Sequence, residues 1–359
     1  MSTVFVLTGG GSLGVVQVGM LAALHDHGIA PDLLVGTSAG ALNAAYLADP
    51  GPTSERIDTL SALWQQVRRR DVFAVHPGRW LAAAAGTAPS LFSDTRMRAL
   101  VERHLAFDLL EDARIPVHVV ATDLATGLGV ALAEGPVVTA VLASAAVPGL
   151  PPPVRRGGQT LVDGGVGEFD AVQHAEDWGA DDIFLLPAGY PCAGSAPSTA
   201  LGATLSALSL LLHQQLLAQV REHHGRARQH VMPPLCPLSV SPADFSRAAD
   251  LIERSHQVSN RWLAGRRTGP TRHPCSPCTD TPSRTQRSAP RVPAPVPDDR
   301  SRMPVPGWRH PANACPLDVP EHPAGHPRAS RPVAQVVGAS STCSRVIQNS
   351  SFVPQCSDR

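Results

Sequence analysis

Two glycine-rich turns, each between a predicted strand and a predicted helix, constrain this chain more than any other feature of its sequence. Thr3 to Thr8 (TVFVLT) has the uninterrupted apolar character of a buried strand, and Val15 to His27 has helical spacing of apolar residues. Gly9 to Gly14 (GGGSLG) lies between them. Leu33 to Val35 is a second strand, from which Gly36 to Gly40 (GTSAG) leads into a helix. Strand–turn–helix units repeated in this way indicate a parallel sheet covered by helices.

The same alternation continues to about residue 265. The remaining predicted strands are 117–121, 129–133, 160–162 and 182–186, and the remaining predicted helices are 39–48, 54–69, 94–105, 138–146, 171–178, 199–223 and 245–263. Hydrophobic residues make up 43% of the chain, enough for a sizeable core. We therefore predict one α/β domain over residues 1–265, with three layers (α/β/α) and a mainly parallel central sheet.

The composition changes at about Arg266. Of the 35 prolines, 17 lie between Gly269 and Arg359, and from Arg266 onward 13 arginines stand against 6 acidic residues. Such a segment lacks the apolar periodicity that a packed core needs, so we predict a disordered Pro/Arg-rich tail over residues 266–359. Cys275-Ser-Pro-Cys278 has the spacing of a zinc knuckle, but no second Cys/His pair follows at a suitable distance, and we expect no metal there.

Composition also excludes several classes of protein. The 30 basic and 30 acidic residues balance, which excludes a strongly basic nucleic-acid binder. No apolar run approaches the ~18–20 residues of a membrane span, and the first residues resemble a strand, not a signal peptide. Seven cysteines without framework spacing do not indicate a disulfide-stapled secreted module. We therefore expect a cytoplasmic protein that meets membranes at most peripherally and does not bind nucleic acid.

The first glycine turn has unpaired backbone amides directed at the N-terminus of the following helix, where an anion or an oxyanion can bind. Gly9 to Gly14 also matches the dinucleotide fingerprint G-x-G-x-x-G. That interpretation requires an acidic residue after the second strand, whereas Asp32 precedes it. Dinucleotide binding and a purely structural turn remain alternatives at this point.

The second turn, Gly36-Thr-Ser38-Ala-Gly40, has the G-x-S-x-G pattern of a nucleophile elbow in the required strand–turn–helix setting. The alternative is a serine that caps an ordinary helix. A nucleophilic serine needs a base. The later histidines fall mostly on predicted helices and none lies in a Gly- or Asp-flanked loop, as a triad would require; they are His174, His213, His223, His224, His230 and His256.

A third turn, Asp163-Gly164-Gly165, follows the predicted strand at 160–162. Considered alone it is simply a turn. In this order and at these separations, however, GGGSLG, GTSAG and DGG resemble the patatin-like phospholipase family of lipid acyl hydrolases. The intervening segments GALNAA, ATDLATG and AVLASAAVPGLPPPV resemble it too, and the resemblance covers about residues 3–190.

This resemblance implies a Ser–Asp dyad. Ser38 would be the nucleophile, Asp163 the general base, and the amides of Gly10, Gly11 and Ser12 the oxyanion hole. The motif residues it marks are Gly9, Gly11, Gly14, Gly36, Ser38, Gly40, Asp163, Gly164 and Gly165. Neither a metal nor another cofactor is implied. Two positions depart from the family pattern: Leu13 replaces a basic residue, and Glu168-Phe169-Asp170 stands where Asn-Pro is common.

We therefore expect a serine hydrolase that cleaves lipid carboxylic esters, phospholipids or lysophospholipids, through an acyl-enzyme on Ser38. The alternatives are a general carboxylesterase, thioesterase or acyltransferase with the same dyad, or a catalytically silent lipid- or nucleotide-binding protein. Within the domain, residues 191–265 form a helical remainder that carries none of the three motifs.

Overall fold

The computed structural model describes residues 1–74, 77–189, 192 and 196–266. The prediction of a disordered tail and the Cys275/Cys278 spacing therefore lie outside the described residues, apart from Arg266 itself.

The described residues contain a single eight-stranded sheet. Its strands are β1 (Thr3–Leu7), β2 (Leu33–Thr37), β3 (Val117–Asp123), β4 (Gly129–Leu132), β5 (Val154–Arg156), β6 (Gln159–Asp163), β7 (Asp182–Leu186) and β8 (Arg228–Val231). The spatial order is β5-β6-β3-β2-β1-β7-β8, and β4 also pairs with β3. The five strands from β3 to β8 in this order are parallel, whereas β4, β5 and β6 pair antiparallel. The short, polar strands β5 and β8 were not predicted.

Ten α-helices and two 3₁₀ turns are described. The helices are α1 (Val16–Asp26), α2 (Ala39–Ala48), α3 (Thr53–Gln66), α4 (Arg69–Val72), α5 (Pro77–Ala84), α6 (Thr95–His104), α7 (Val137–Ser144), α8 (Ala171–Asp177), α9 (Ala200–Glu222) and α10 (Ala248–Arg266). The 3₁₀ turns are Gly11–Val15 and Leu110–Asp112. Two of the helices, α4 and α5, were not predicted.

Helices cover both faces of the sheet, so the predicted three-layer architecture is confirmed. Alternate residues of β1 point to opposite faces: Phe5 and Leu7 join a large cluster with α1, α2, α3, α7 and α10. Val4 and Val6 join a smaller cluster with α8 and α9. Because β1 and β2 are parallel neighbours, the turns that follow them meet at the same edge of the sheet.

The C-terminal helix α10 packs closely along α1. A Cβ atom at Gly19 would collide with the Ile252 carbonyl oxygen and lie 2.6 Å from the His256 nitrogen, so the two backbones approach at this glycine. Ser255 Oγ donates to the Val16 carbonyl at 2.7 Å. These contacts make α10 part of the domain core, although it carries none of the sequence motifs.

Helix α9 changes one expectation from the sequence. It is long and apolar enough to cross a membrane by length and composition, with 33% of its most apolar window buried. The prediction that no segment approaches a membrane span is therefore wrong for this helix. One such helix is weak grounds for a span, and α9 contributes Leu205, Leu212 and Leu216 to the buried interior.

Candidate active site

Ser38 lies between β2 and α2 in a strained backbone conformation. Its φ of 55° and ψ of −120° make it the only non-glycine residue with positive φ in the described chain. The turn is tight because α2 starts directly against β1: a Cβ at Gly40 would collide with the Leu7 carbonyl. A Cβ at Gly36 would lie 2.6 Å from Ala41 Cα. Strain of this kind, held by close packing, is typical of a functional residue and fits a nucleophile elbow.

Ser144, which the sequence analysis did not single out, fixes this turn from behind. The Ser38 N–H donates to Ser144 Oγ at 2.8 Å, and Ser144 Oγ donates to the Val120 carbonyl at 2.5 Å. Ser144 is fully buried at the end of α7. It therefore joins the elbow to β3 through a side chain 106 residues away in sequence, a relation that no local motif signals.

Asp163 lies at the end of β6 and is completely buried. Its Oδ1 accepts the Gly165 N–H at 2.9 Å, while Oδ2 has no partner of standard hydrogen-bond geometry in the described chain. Burial raises the pKa of Asp163 to about 6, and the nearby Ser38 hydroxyl and the Gly165 amide oppose this rise only in part. Ser38 and Asp163 are thus neighbours, and the carboxylate keeps one oxygen uncommitted.

The loop that carries Asp163 is held on both sides. Thr122 Oγ1 donates to the Asp163 carbonyl and accepts the Gly167 N–H, both at 2.9 Å. The Asp163 N–H donates to the Ala146 carbonyl at 2.9 Å. The glycines after Asp163 leave room for close neighbours, because a Cβ at Gly164 would collide with the Val120 carbonyl. A Cβ at Gly165 would crowd Leu212.

The glycine turn after β1 packs directly on the elbow. A Cβ at Gly9 would lie 2.9 Å from Ser38 Cβ, and one at Gly14 would lie 2.6 Å from Ala39 Cβ. Within the described residues neither the Gly10 nor the Gly11 amide donates a hydrogen bond. Both residues line the same cleft as Ser38. Two uncommitted amides beside a serine are the donors that an oxyanion hole requires.

Ser12 does not belong with them. Its N–H donates to the Pro242 carbonyl at 2.9 Å and its Oγ to the Ser241 carbonyl at 3.1 Å. The prediction of Ser12 as an oxyanion donor is therefore corrected, because its amide already has a partner. Gly11, with φ of +58°, lies against the same segment: a Cβ there would be 2.6 Å from the Pro242 oxygen.

A buried network of polar side chains supports the glycine turn. Gln17 Nε2 donates to the carbonyls of Thr8 and Leu186, each at 2.8 Å. Asn43 Nδ2 donates to the Gly14 carbonyl at 2.9 Å and to Gln17 Oε1 at 2.7 Å. Sequence reasoning missed both residues. The only signal was their polarity within helices whose other positions are nearly all apolar.

A narrow apolar cleft opens beside Ser38. It has a volume of about 890 Å³ with its open mouth included, and its lining is dominated by carbon. Leu42, Trp64 and Phe73 contribute from α2, α3 and the segment after α4, and Leu205 and Leu208 contribute from α9. Such a cleft favours a hydrocarbon chain over a polar ligand.

No histidine lines this cleft, as far as the described residues extend. His174 Nε2 lies 2.8 Å from His118 Nδ1, His230 contacts Asp182 at 2.6 Å, and His256 contacts Asp26 at 2.7 Å. Burial lowers the pKa of His118 to about 4 and also lowers that of His174. These contacts give His174, His230 and His256 partners of their own, and none of the three lines the cleft with Ser38.

The two departures from the motif pattern have structural explanations. Leu13 is completely buried in the large core cluster, where a charged side chain would be costly. Asp170 caps α8, since its Oδ1 accepts the N–H groups of Val172 at 3.0 Å and Gln173 at 2.9 Å.

Asp32 is the acidic residue that was considered for the dinucleotide-binding alternative. It accepts the Thr3 N–H at 2.7 Å. It therefore lies at the start of β1, whereas the glycine turn follows the end of β1.

Comparison with known proteins agrees with these features. Residues 5–175 match the family model described as patatin-like phospholipase. Lysophospholipase nte1 of Aspergillus terreus is 30% identical over 187 residues, which are 51% of this chain and 12% of that protein. An uncharacterised NTE family protein of Mycobacterium tuberculosis is 31% identical over 166 residues, 45% of this chain and 26% of that protein. The chain thus spans at most about a quarter of the length of these relatives.

Among solved structures, VipD from Legionella pneumophila is similar with a TM-score of 0.37 and 15% identity. The match covers 74% of this chain and 67% of that one. A similarity this low supports no conclusion about function.

Proposed function

We propose, from the match of residues 5–175 to the patatin-like phospholipase family model, that this chain is a serine hydrolase of lipid carboxylic esters. The observation that carries the proposal is the meeting of Ser38, in its strained turn, with the buried carboxylate of Asp163 and two uncommitted amides. The two amides precede Ser38 by 28 and 27 residues and Asp163 follows it by 125 residues. An acyl-transfer site needs all three parts.

In the proposed reaction, Asp163 Oδ2 accepts the hydroxyl proton as Ser38 Oγ attacks the ester carbonyl. The amides of Gly10 and Gly11 stabilise the tetrahedral oxyanion, each contributing a factor of roughly 10² to 10³ in rate. The proton then passes from Asp163 to the leaving alcohol, which gives an acyl-enzyme. Water, deprotonated by the same carboxylate, hydrolyses the acyl-enzyme and restores Ser38.

The raised pKa of Asp163 suits this role. A carboxylate with an ordinary pKa of ~3.9 is a weak base, whereas one near 6 is a stronger base that is still mostly ionised at neutral pH. Burial, the largest cause of the shift, also excludes bulk water from the proton transfer.

The apolar cleft supports a lipid substrate with at least one long acyl chain. The name of the Aspergillus relative, a lysophospholipase, points to single-chain phospholipids as the first class to test. Such lipids are found at membrane surfaces, and α9 has two leucines directed to solvent, Leu210 and Leu211, 46% and 59% exposed. We therefore propose a cytoplasmic enzyme that contacts membranes peripherally.

The test is hydrolysis of a long-chain lysophosphatidylcholine and of a soluble short-chain p-nitrophenyl ester by the full chain and by Ser38→Ala. Ser38→Ala should reduce both rates by at least about 10³-fold, the scale seen when a serine nucleophile is removed. Circular dichroism verifies the fold of the variant. A folded Ser38→Ala protein within tenfold of the wild-type rate would refute the nucleophile assignment.

The same assay separates the rival functions. Hydrolysis of short esters but not of the lysolipid would indicate a general carboxylesterase. Transfer of the acyl group to an added alcohol or thiol in preference to water would indicate an acyltransferase. A protein that binds lipid but releases no fatty acid would be the silent binding protein.

A further inference from the structure

Two cysteines lie side by side outside the cleft. Cys192 Sγ and Cys236 Sγ are 2.7 Å apart, although 44 residues separate them in sequence. The bond length of a disulfide is ~2.05 Å, so a shift of less than 1 Å would join the two sulfurs. Cys236 is exposed and Cys192 is half-buried. The Leu238 N–H donates to Cys192 Sγ at 3.3 Å, which fixes that sulfur beside its neighbour.

We propose that Cys192 and Cys236 are a redox modification site, which a small disulfide oxidant converts to a reversible intramolecular disulfide. The exposed Cys236 sulfur, as thiolate, attacks one sulfur of the oxidant and releases the first small thiol. The Cys192 sulfur then displaces the second small thiol from the mixed disulfide. The two cysteine protons end on the two released thiols, and the oxidant gains the two electrons that the cysteines lose.

The disulfide would connect two segments that both contact the glycine turn. On the Cys192 side, the Ala188 N–H donates to Thr8 Oγ1 at 3.0 Å. A Cβ at Gly10 would lie 2.6 Å from Ala188 Cβ. On the Cys236 side, the carbonyls of residues 241 and 242 accept both hydrogen bonds of Ser12. The proposed oxyanion donors thus lie between the two segments, and the bond would fasten both segments around them.

This arrangement predicts a more stable oxidised form. A disulfide restricts the unfolded chain, and a bond that closes a loop of this length should raise the melting temperature by about 5–10 °C. The glycine turn should also hold its geometry to a higher temperature. The effect on activity rests on the proposed function, whereas bond formation and melting temperature do not.

The experiment uses the full chain with the other cysteines replaced by serine, namely Cys275, Cys278, Cys315, Cys343 and Cys356. The protein is reduced, dialysed, and incubated with oxidised glutathione. Non-reducing peptide mass spectrometry should find the peptides of Cys192 and Cys236 linked and lighter by two hydrogen atoms. The wild-type chain should give the same pair. Glutathione retained on Cys236 in either protein would overturn the proposal. So would a wild-type chain in which Cys236 is linked to a cysteine of residues 266–359.

Melting and inactivation are then measured with and without oxidation, in this protein and with Cys192→Ser or Cys236→Ser added. The oxidised parent should melt higher and lose ester hydrolysis more slowly on heating, and neither serine variant should respond to the oxidant. A linked pair with no rise in melting temperature would overturn the inferred fastening of the turn. If the parent has no hydrolase activity, the mass and melting results still decide the proposal, while the proposed function fails separately.

Discussion

Asp163 is the proposed base in its ionised form. The folded protein is less stable with Asp163 ionised than with Asp163 protonated. Its pKa rises from 3.8 to about 6 on folding, chiefly through burial. The folded state therefore binds a proton more tightly than the unfolded chain does. The stabilising contribution of the protonated form is complete below about pH 4 and is lost as the pH rises through about 6.

Replacing Asp163 by Asn should therefore abolish hydrolysis and yet stabilise the fold. Asn keeps the shape and can still accept the Gly165 N–H, but it has no charge to bury. A shift of two pKa units corresponds to about 3 kcal/mol, so we expect the free energy of unfolding at pH 8 to rise by about 1–3 kcal/mol. The gain should vanish below about pH 4. Urea unfolding between pH 4 and 8 measures it.

The matched control for this variant is Asp58→Asn, at an exposed position of α3. It should change stability by less than about 0.5 kcal/mol at any of these pH values. An Asp163→Asn protein that is less stable than wild type at pH 8 would show that the charged carboxylate is fully compensated in the fold.

At the scale of secondary-structure elements, α9 presents one side to the cleft and another to solvent. Leu208 lines the cleft, whereas Leu211 is exposed. Leu208→Trp adds bulk where an acyl chain would lie. It should lower kcat/KM for a long-chain ester by at least about tenfold and leave a short-chain ester within about threefold. Leu211→Trp, one turn further on, should leave both substrates within about threefold. Equal loss on short and long esters would place the acyl chain elsewhere.

Elements with a strong apolar pattern were predictable, and weakly patterned ones were not. The bounds predicted for β7 and α2 agree with the structure, because an apolar run between turn residues and a run of helix formers leave little choice. Strand β8 (RQHV) has no such pattern; it forms because the edge of β7 accepts it. Ser38 and Asp163 follow local motifs and could be proposed from sequence. The hydrogen bond from Ser38 to Ser144 and the one from Ser12 to Pro242 join segments that are distant in sequence. Such contacts have no local sequence pattern from which they could be predicted.

For the whole molecule, the boundary at residue 266 is a prediction that truncation tests. Ending the chain after Arg266 keeps α10 and its contacts with α1. Hydrolysis of a soluble short-chain ester should stay within about twofold, and the melting temperature within about 2 °C, because a Pro/Arg-rich segment lacks the apolar periodicity that a core contribution requires. Ending the chain after Phe245 removes α10 and exposes the surface of α1 around Gly19, against which α10 packs. That protein should fail to fold, as judged by circular dichroism.

Anionic vesicles give a second comparison for the same truncation. The removed residues 267–359 carry a net charge of about +6, since 12 arginines stand against 6 acidic residues. Each arginine near an anionic surface contributes about 1 kcal/mol, an effect that salt screens. Vesicle binding should therefore weaken on truncation, most at low salt. A large loss of soluble-ester activity would contradict the boundary.

Covalent labelling by a fluorophosphonate probe tests directly whether Ser38 is a nucleophile activated by Asp163. The full chain is incubated with the probe at pH values from 5 to 8, and the adduct is located by peptide mass spectrometry. We predict a single adduct on Ser38, with a labelling rate that rises through about pH 6 as Asp163 ionises. Labelling should be absent in Ser38→Ala and slowed by at least about 10²-fold in Asp163→Asn. An adduct on another residue, or undiminished labelling of Asp163→Asn, would contradict these roles of Ser38 and Asp163.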